Sequence, residues 1–151
     1  MLDDVLAACG AIGVTVVAGG EESQGEAVSA ALWEIEERPI LVVNADLPCA
    51  RPRDLLTLLG ALPENGLALV EAADGTTNAL ALAAPQLFAP LYGPSSAARF
   101  RARAEKLGVP AATAKIPNLA EDVDTLADLE GLEGRLGPAT AAALDRLRLA
   151  R

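Results

Sequence analysis

No histidine occurs anywhere in the 151 residues. Its absence excludes Ser–His–Asp triads, imidazole general bases and His-ligated zinc or iron. Cysteine is nearly absent too. Cys9 and Cys49 stand far apart and fit no zinc spacing, so reduced thiols in a reducing, cytoplasmic compartment are expected. Aromatic residues make up 3% of the chain, too few for a base-stacking platform. Basic residues number 12 against 21 acidic ones, a formal net charge of −9, which argues against binding to nucleic acid or anionic membranes. No apolar run approaches the ~20 residues of a membrane span. The opening MLDD lacks the basic start of a secretory signal.

What is present is globular: 52% hydrophobic and 22% charged residues. At this length a single domain is expected, and about two-thirds of the unfolded chain's surface can be buried. Helical and strand-like patterns alternate along it. Residues 1–9 (MLDDVLAAC) have helical spacing behind an acidic first turn, with Gly10 as a stop. Residues 14–18 (VTVVA) form a short β-branched run, residues 19–25 have loop chemistry, and residues 27–35 read as a helix. Residues 39–44 (PILVVN) form a continuous apolar run, the mark of a strand buried on both faces of a parallel sheet. A helix comes next at 53–62, then a strand at 67–72, a polar loop at 74–78 and another apolar run at 79–83. Gly93-Pro94-Ser95-Ser96 opens a helix to about Leu107. Residues 125–132 are helical, and Gly137-Pro138 introduces a last amphipathic helix. This alternation predicts an α/β fold with an open, mostly parallel sheet flanked by helices. No repeat or low-complexity tract interrupts it.

Three segments could carry chemistry. In Asn44-Ala45-Asp46-Leu47-Pro48, Asp46 comes just after a buried strand and lies at the carboxyl edge of the sheet, where open α/β sheets bind ligands. It would equally serve as a turn cap before Pro48. In Glu121-Asp122-Val123-Asp124-Thr125, an extended backbone places Asp122 and Asp124 on one side. Two such carboxylates repel unless a cation sits between them, although Asp124 or Thr125 would also N-cap the next helix, with Asp128 in its first turn. With no histidine and unsuitable cysteines, a metal here must be a hard ion on carboxylate oxygens, Mg²⁺ or Mn²⁺. The third signal joins the 74–78 loop to the Gly93–Ser96 turn, where backbone N–H groups and serine hydroxyls at a helix start suggest an anion pocket. Arg99 and Arg103 share Ser96's helical face; the plain alternative is a capped helix with a solvated arginine edge. Gly19-Gly20 matches neither GxGxxG nor a P-loop.

Taken in order, NADLP, DGTTNALAL, LYGPSSAARF and NLAEDVDTLADL resemble the guanylyltransferases of deazaflavin coenzyme F-420 biosynthesis, and the closing LGPAT fits bacterial members. The resemblance runs from about Arg38 to the end of the chain. It implies a GT-A, Rossmann-like nucleotidyltransferase fold and transfer of GMP from GTP to phosphoenolpyruvate or 2-phospho-L-lactate, releasing pyrophosphate. Carried over residue by residue, it implies catalytic and metal-binding roles for Asp46, Asp122 and Asp124. Acceptor contacts would fall at Thr77, Asn78, Gly93 and Ser96, with Arg99 beside them. Asn78 stands where some bacterial relatives have threonine, and the acceptor is open between the two acids. The implied partners are GTP and a small phosphorylated carboxylic acid, with no nucleic acid, no membrane, and room for a homodimer. The family's opening strand and its Lys/Arg-bearing nucleotide loop have no counterpart, so an N-terminally truncated domain is expected. The rival readings are another nucleotidyltransferase or sugar-nucleotide enzyme on the same fold, and a non-catalytic fragment of one.

Overall fold

The computed structural model describes residues 1–19, 23–36 and 38–149; Gly20, Glu21 and Glu22 of the expected 19–25 loop lie outside them. Four strands, β1 (Ile40–Val43), β2 (Leu67–Glu71), β3 (Thr77–Leu82) and β4 (Ala111–Thr113), form one sheet in the order β1-β3-β2-β4. β1 and β2 pair antiparallel with β3, and β4 pairs parallel with β2. Three strands therefore share a direction, as expected, but two of the three ladders are antiparallel and the sheet is mixed. The reversal is local. The link between β2 and β3 is far too short for a crossover and makes a hairpin instead. Asp74 Oδ1 closes that link by accepting from the Thr76 N–H at 2.9 Å and its hydroxyl at 2.7 Å, while Gly75 turns the chain at φ 84°.

Among the described residues, seven α-helices accompany the sheet: α1 (Leu2–Gly10), α2 (Gln24–Leu32), α3 (Pro52–Ala61), α4 (Ser96–Leu107), α5 (Pro117–Ala120), α6 (Leu126–Gly131) and α7 (Pro138–Leu149). Alternation along β2 and β3 divides the core between two faces. Ala68, Val70, Ala79 and Ala81 pack with Val5, Leu55 and Leu119 of α1, α3 and α5. Leu67, Leu69, Leu80 and Leu82 pack with Val28 of α2 and with Phe100 and Ala104 of α4. Burying each such leucine contributes about 1.5–3 kcal/mol. A third, smaller cluster joins Cys49, Val123, Leu129, Leu136 and Leu144 beside α6 and α7. Among the described residues, no helix is long and apolar enough to cross a membrane.

Other expectations need correction. Residues 14–18 form no strand, and Val14 is 81% exposed. A β-branched run becomes a strand only against a ladder partner, and among the described residues it has none. β1 is half-buried beyond Ile40 rather than covered on both faces, because it is a sheet edge. Thr77 and Asn78 open β3 instead of ending a loop. β4 and α5, both very short, left no sequence pattern long enough to read.

The parallel β2–β4 pairing depends on Gly66. The Leu67 N–H donates to the Pro110 carbonyl at 3.1 Å, and a Cβ on Gly66 would collide with that carbonyl and with the Pro63 ring. Gly66→Ala is therefore expected to cost about 1–3 kcal/mol by overpacking. Urea midpoints of the two proteins measure it; an unchanged midpoint would mean that the Pro110 segment moves aside freely.

Candidate active site

Asp46 lies in the β1–α3 connection, and the residues C-terminal to it set its place. Leu47 and Cys49 are sunk into the core, and Pro52 starts α3 where its missing N–H costs nothing. The Val123 N–H donates to the Asp46 carbonyl at 3.2 Å, drawing the 121–124 segment against this connection. Val123 is buried between half-buried Asp122 and exposed Asp124, so both carboxylates leave the core on the outward side, as an extended backbone predicts. Thr125, not Asp124, caps α6. Its hydroxyl accepts from the Asp128 N–H while Asp128 accepts from Thr125 at 2.8 and 2.7 Å. Asp124 is thereby released from the capping role.

Asp46 Oδ1 is buried and has no hydrogen-bond partner. Burial pushes the Asp46 carboxyl above the usual range; the charges of Asp122 and Asp124 push the same way, against a partial opposing effect of a backbone N–H. An orphaned carboxylate oxygen facing two further carboxylates fits a hard divalent cation. The three do not form a closed cage: among the described residues no three acidic or thiol side chains stand close enough to enclose an ion. Mg²⁺ needs no such cage, since one or two carboxylates suffice when phosphates and water fill the rest. Asp46 with Asp122 or Asp124 could therefore hold it.

The acceptor-side residues gather at the same sheet edge. Register slips at Val70/Glu71, so Thr77 faces Glu71, Ala79 faces Val70, and Asn78 is the extra residue of a bulge. The bulge turns Thr77 toward α4, where its hydroxyl accepts from Ser96 Oγ at 3.2 Å. Both residues are buried, as is Asn78, whose side-chain amide has no partner on either atom. Ser95 enters α4 in the left-handed region at φ 57°. The Arg99 guanidinium folds back to donate to the Tyr92 carbonyl at 2.9 Å, beside Gly93. Thr77, Asn78, Gly93, Ser96 and Arg99 thus converge, but the turn is less open than expected. The Ser96 and Ala97 N–H groups are already taken by the Gly93 and Gly75 carbonyls. Arg103 contributes no partner here; its Nε is buried and unpaired.

Asn44 joins the two halves, a role its sequence context does not announce. Its N–H donates to the Asn78 carbonyl at 2.9 Å, its Nδ2 reaches the Thr77 carbonyl, and its Oδ1 accepts from Gln24 Nε2 at 2.7 Å. A cavity of about 450 Å³ opens beside it, bordered by Gln24, Asn44, Ala45 and Asp46.

Comparison with known proteins identifies the family. The family model described as "Guanylyl transferase CofC like" matches residues 2–134. The chain belongs to the CofC-like guanylyl transferase family. Relatives of this family include proteins named phosphoenolpyruvate guanylyltransferase. That of Sphaerobacter thermophilus is 43% identical over 96 residues, covering 63% of this chain and 46% of the relative. Those of Streptomyces scabiei and Rhodococcus erythropolis are 39% and 35% identical, covering 74% and 85% of this chain and 51% and 58% of the relatives. The chain spans about half the length of the curated relatives it matches. A solved structure described as a nucleotide-diphospho-sugar transferase from Desulfovibrio desulfuricans G20 superposes with a TM-score of 0.63 at 16% identity, over 84% of this chain and 60% of that one. That likeness concerns the fold, which is of the GT-A kind expected for a CofC-like chain.

Because its folded pKa is raised, Asp46 favours the native state while protonated, and that contribution is lost as pH rises through the folded value. At neutral pH the ionised group is a cost. Asp46→Asn is expected to raise the metal-free Tm at pH 7. The gain should shrink below about pH 4, where the wild-type carboxyl is protonated in both states. Thermal melts across pH in chelator test this, and a lower Tm for Asp46→Asn at pH 7 would mean the charge is compensated.

Proposed function

We propose that this domain carries out guanylyl transfer, moving GMP from GTP to phosphoenolpyruvate or 2-phospho-L-lactate with release of pyrophosphate, in cytoplasmic coenzyme F-420 biosynthesis. The observation that carries this reading is the convergence, at one sheet edge, of the unpartnered Asp46 oxygen with the Thr77–Ser96 hydroxyl pair, tied together through Asn44. The names of the relatives support the acceptor class.

The chemistry suits a chain without histidine. A phosphomonoester acceptor is largely dianionic near neutrality, its second pKa being about 6, so its oxygen attacks the α-phosphorus without a protein base. Mg²⁺ bound here would supply charge neutralisation on the phosphates. The chain's own residues then have two tasks. Asp46, with Asp122 and Asp124, presents oxygens for the cation, and the bulged end of β3 with the start of α4 orients the acceptor. Thr77, Ser96 and the buried Asn78 amide supply hydrogen bonds to an anionic group, and Arg99 adds charge at the rim. The two free thiols accord with a reducing compartment.

Pyrophosphate release with GTP, Mg²⁺ and each candidate acceptor tests the reading. Turnover with a phosphorylated carboxylic acid supports it; turnover with sugar phosphates alone would replace it by another nucleotidyltransferase. Within the reading, Ser96→Ala should raise the acceptor KM by roughly ten- to a hundredfold, the value of a hydrogen bond to a charged group, and leave the GTP KM unchanged. A rise confined to the GTP KM would reverse the orientation of the site.

A further inference from the structure

Residues 135–149 lie beyond those that the family model matches, yet they touch both carboxylate-bearing segments. The contacts are specific. The Gly137 N–H donates to the Pro48 carbonyl at 2.7 Å, two residues past Asp46. The Arg135 carbonyl accepts from Arg51 at the end of the same connection. In the other direction, the Arg135 guanidinium forms an ion pair with Glu121 at 2.5 Å and donates to Asn118 Oδ1 at 2.9 Å. Asn118 in turn donates to buried Asp54 on α3 at 2.9 Å. Leu136 and Leu144 pack with Cys49 and Val123, so apolar contact reinforces the same two segments.

This strap is anchored from the opposite end of the chain. Asp4 on α1 is 5% exposed, and its carboxylate accepts from the Ala139 N–H at 3.0 Å, the Thr140 N–H at 2.8 Å and the Thr140 hydroxyl at 2.5 Å. A remote carboxylate thus caps the first turn of α7, where free N–H groups favour negative charge. Gly137 is required beside it, because a Cβ there would overlap the Asp4 carboxyl.

We propose that residues 135–137, anchored through Asp4 and Thr140, act as a positioning strap that holds Asp46 at a fixed distance from Asp122 and Asp124. Arg135, Asp4 and Thr140 are positioning residues: none presents a group to substrate; Arg135 acts through Glu121 and Asn118, and Asp4 with Thr140 through the start of α7 that follows Gly137. The consequence for cation affinity rests on the proposed metal role of the three aspartates; the coupling of the two segments does not. Residues that orient ligating groups from outside typically govern affinity strongly when removed.

The experiment uses the full chain with Arg135→Gln, Thr140→Val and the conservative Thr140→Ser, plus Gly66→Ala as a destabilised control remote from the strap. Two readouts are taken: hydrogen exchange of the Val123 amide, which donates to the Asp46 carbonyl, and Mn²⁺ affinity by calorimetry. Arg135→Gln and Thr140→Val should speed Val123 exchange about tenfold while amides of the β2–β3 ladder keep their protection. They should weaken Mn²⁺ about tenfold or more. Thr140→Ser should stay near wild type in both, and Gly66→Ala should lower Tm without changing Mn²⁺ affinity. Faster Val123 exchange in the two strap variants, in a protein whose wild type binds no Mn²⁺, supports the strap and overturns the metal reading. Unchanged Val123 exchange in both variants overturns the strap, whatever Mn²⁺ does.

Discussion

The constraint on which the site depends is electrostatic: three aspartates of like charge must stay near one another, one of them half-buried with a buried oxygen that has no partner. Left to themselves these carboxylates would separate or protonate. The protein answers with neutral backbone contacts. The Val123 N–H to Asp46 carbonyl bond pins the two segments without neutralising either carboxylate. Packing of Val123 with Cys49, Leu129 and Leu144 reinforces the same contact. Arg135 is held at one remove, pairing with Glu121 rather than with the aspartates, so positive charge steadies the segment but leaves the candidate ligands free.

The other half of the site rests on a defect in the sheet. Regular alternation would send Thr77 and Asn78 to opposite faces. The bulge places the Thr77 hydroxyl against Ser96 on the face that Asn78 shares with Leu80 and Leu82. The cost of that arrangement is visible in the Asn78 amide, buried with neither atom satisfied. Unpaired polarity on both sides of Asn44, at Asp46 and at Asn78, marks where a polar ligand would restore what folding left incomplete.

What could be read from the sequence divides by range of interaction. The capping of α6 by Thr125 and Asp128, the start of α4 after Gly93 and the start of α7 at Pro138 are decided within a turn, and all are legible. Asp46 is legible because an apolar run ends beside it. The 14–18 run misleads because strand formation needs a partner that local composition does not reveal. The register slip that moves Thr77 and Asn78 into β3 depends on pairing with β2, and the hairpin direction on the short loop between them. Least legible are the Asp4–Thr140 contact, spanning 136 positions, and the Arg135–Glu121 pair. Each of those side chains, taken alone in the sequence, looks like an ordinary solvent-facing charge or hydroxyl.

The absence of histidine also accounts for how polar residues are spent. A site that must move protons places titrating groups near neutrality at its centre. Here the nucleophile proposed for the reaction arrives already ionised, so the protein is relieved of proton transfer and is left with geometry. Several of its polar side chains engage backbone groups: Asn44 the Thr77 carbonyl, Arg51 the Arg135 carbonyl, and Asp4 two N–H groups of α7. These contacts fix loop positions and carry no charge to the reacting atoms. That division leaves the local electrostatics to three aspartates, and the surrounding polar residues hold those aspartates where repulsion would otherwise not leave them.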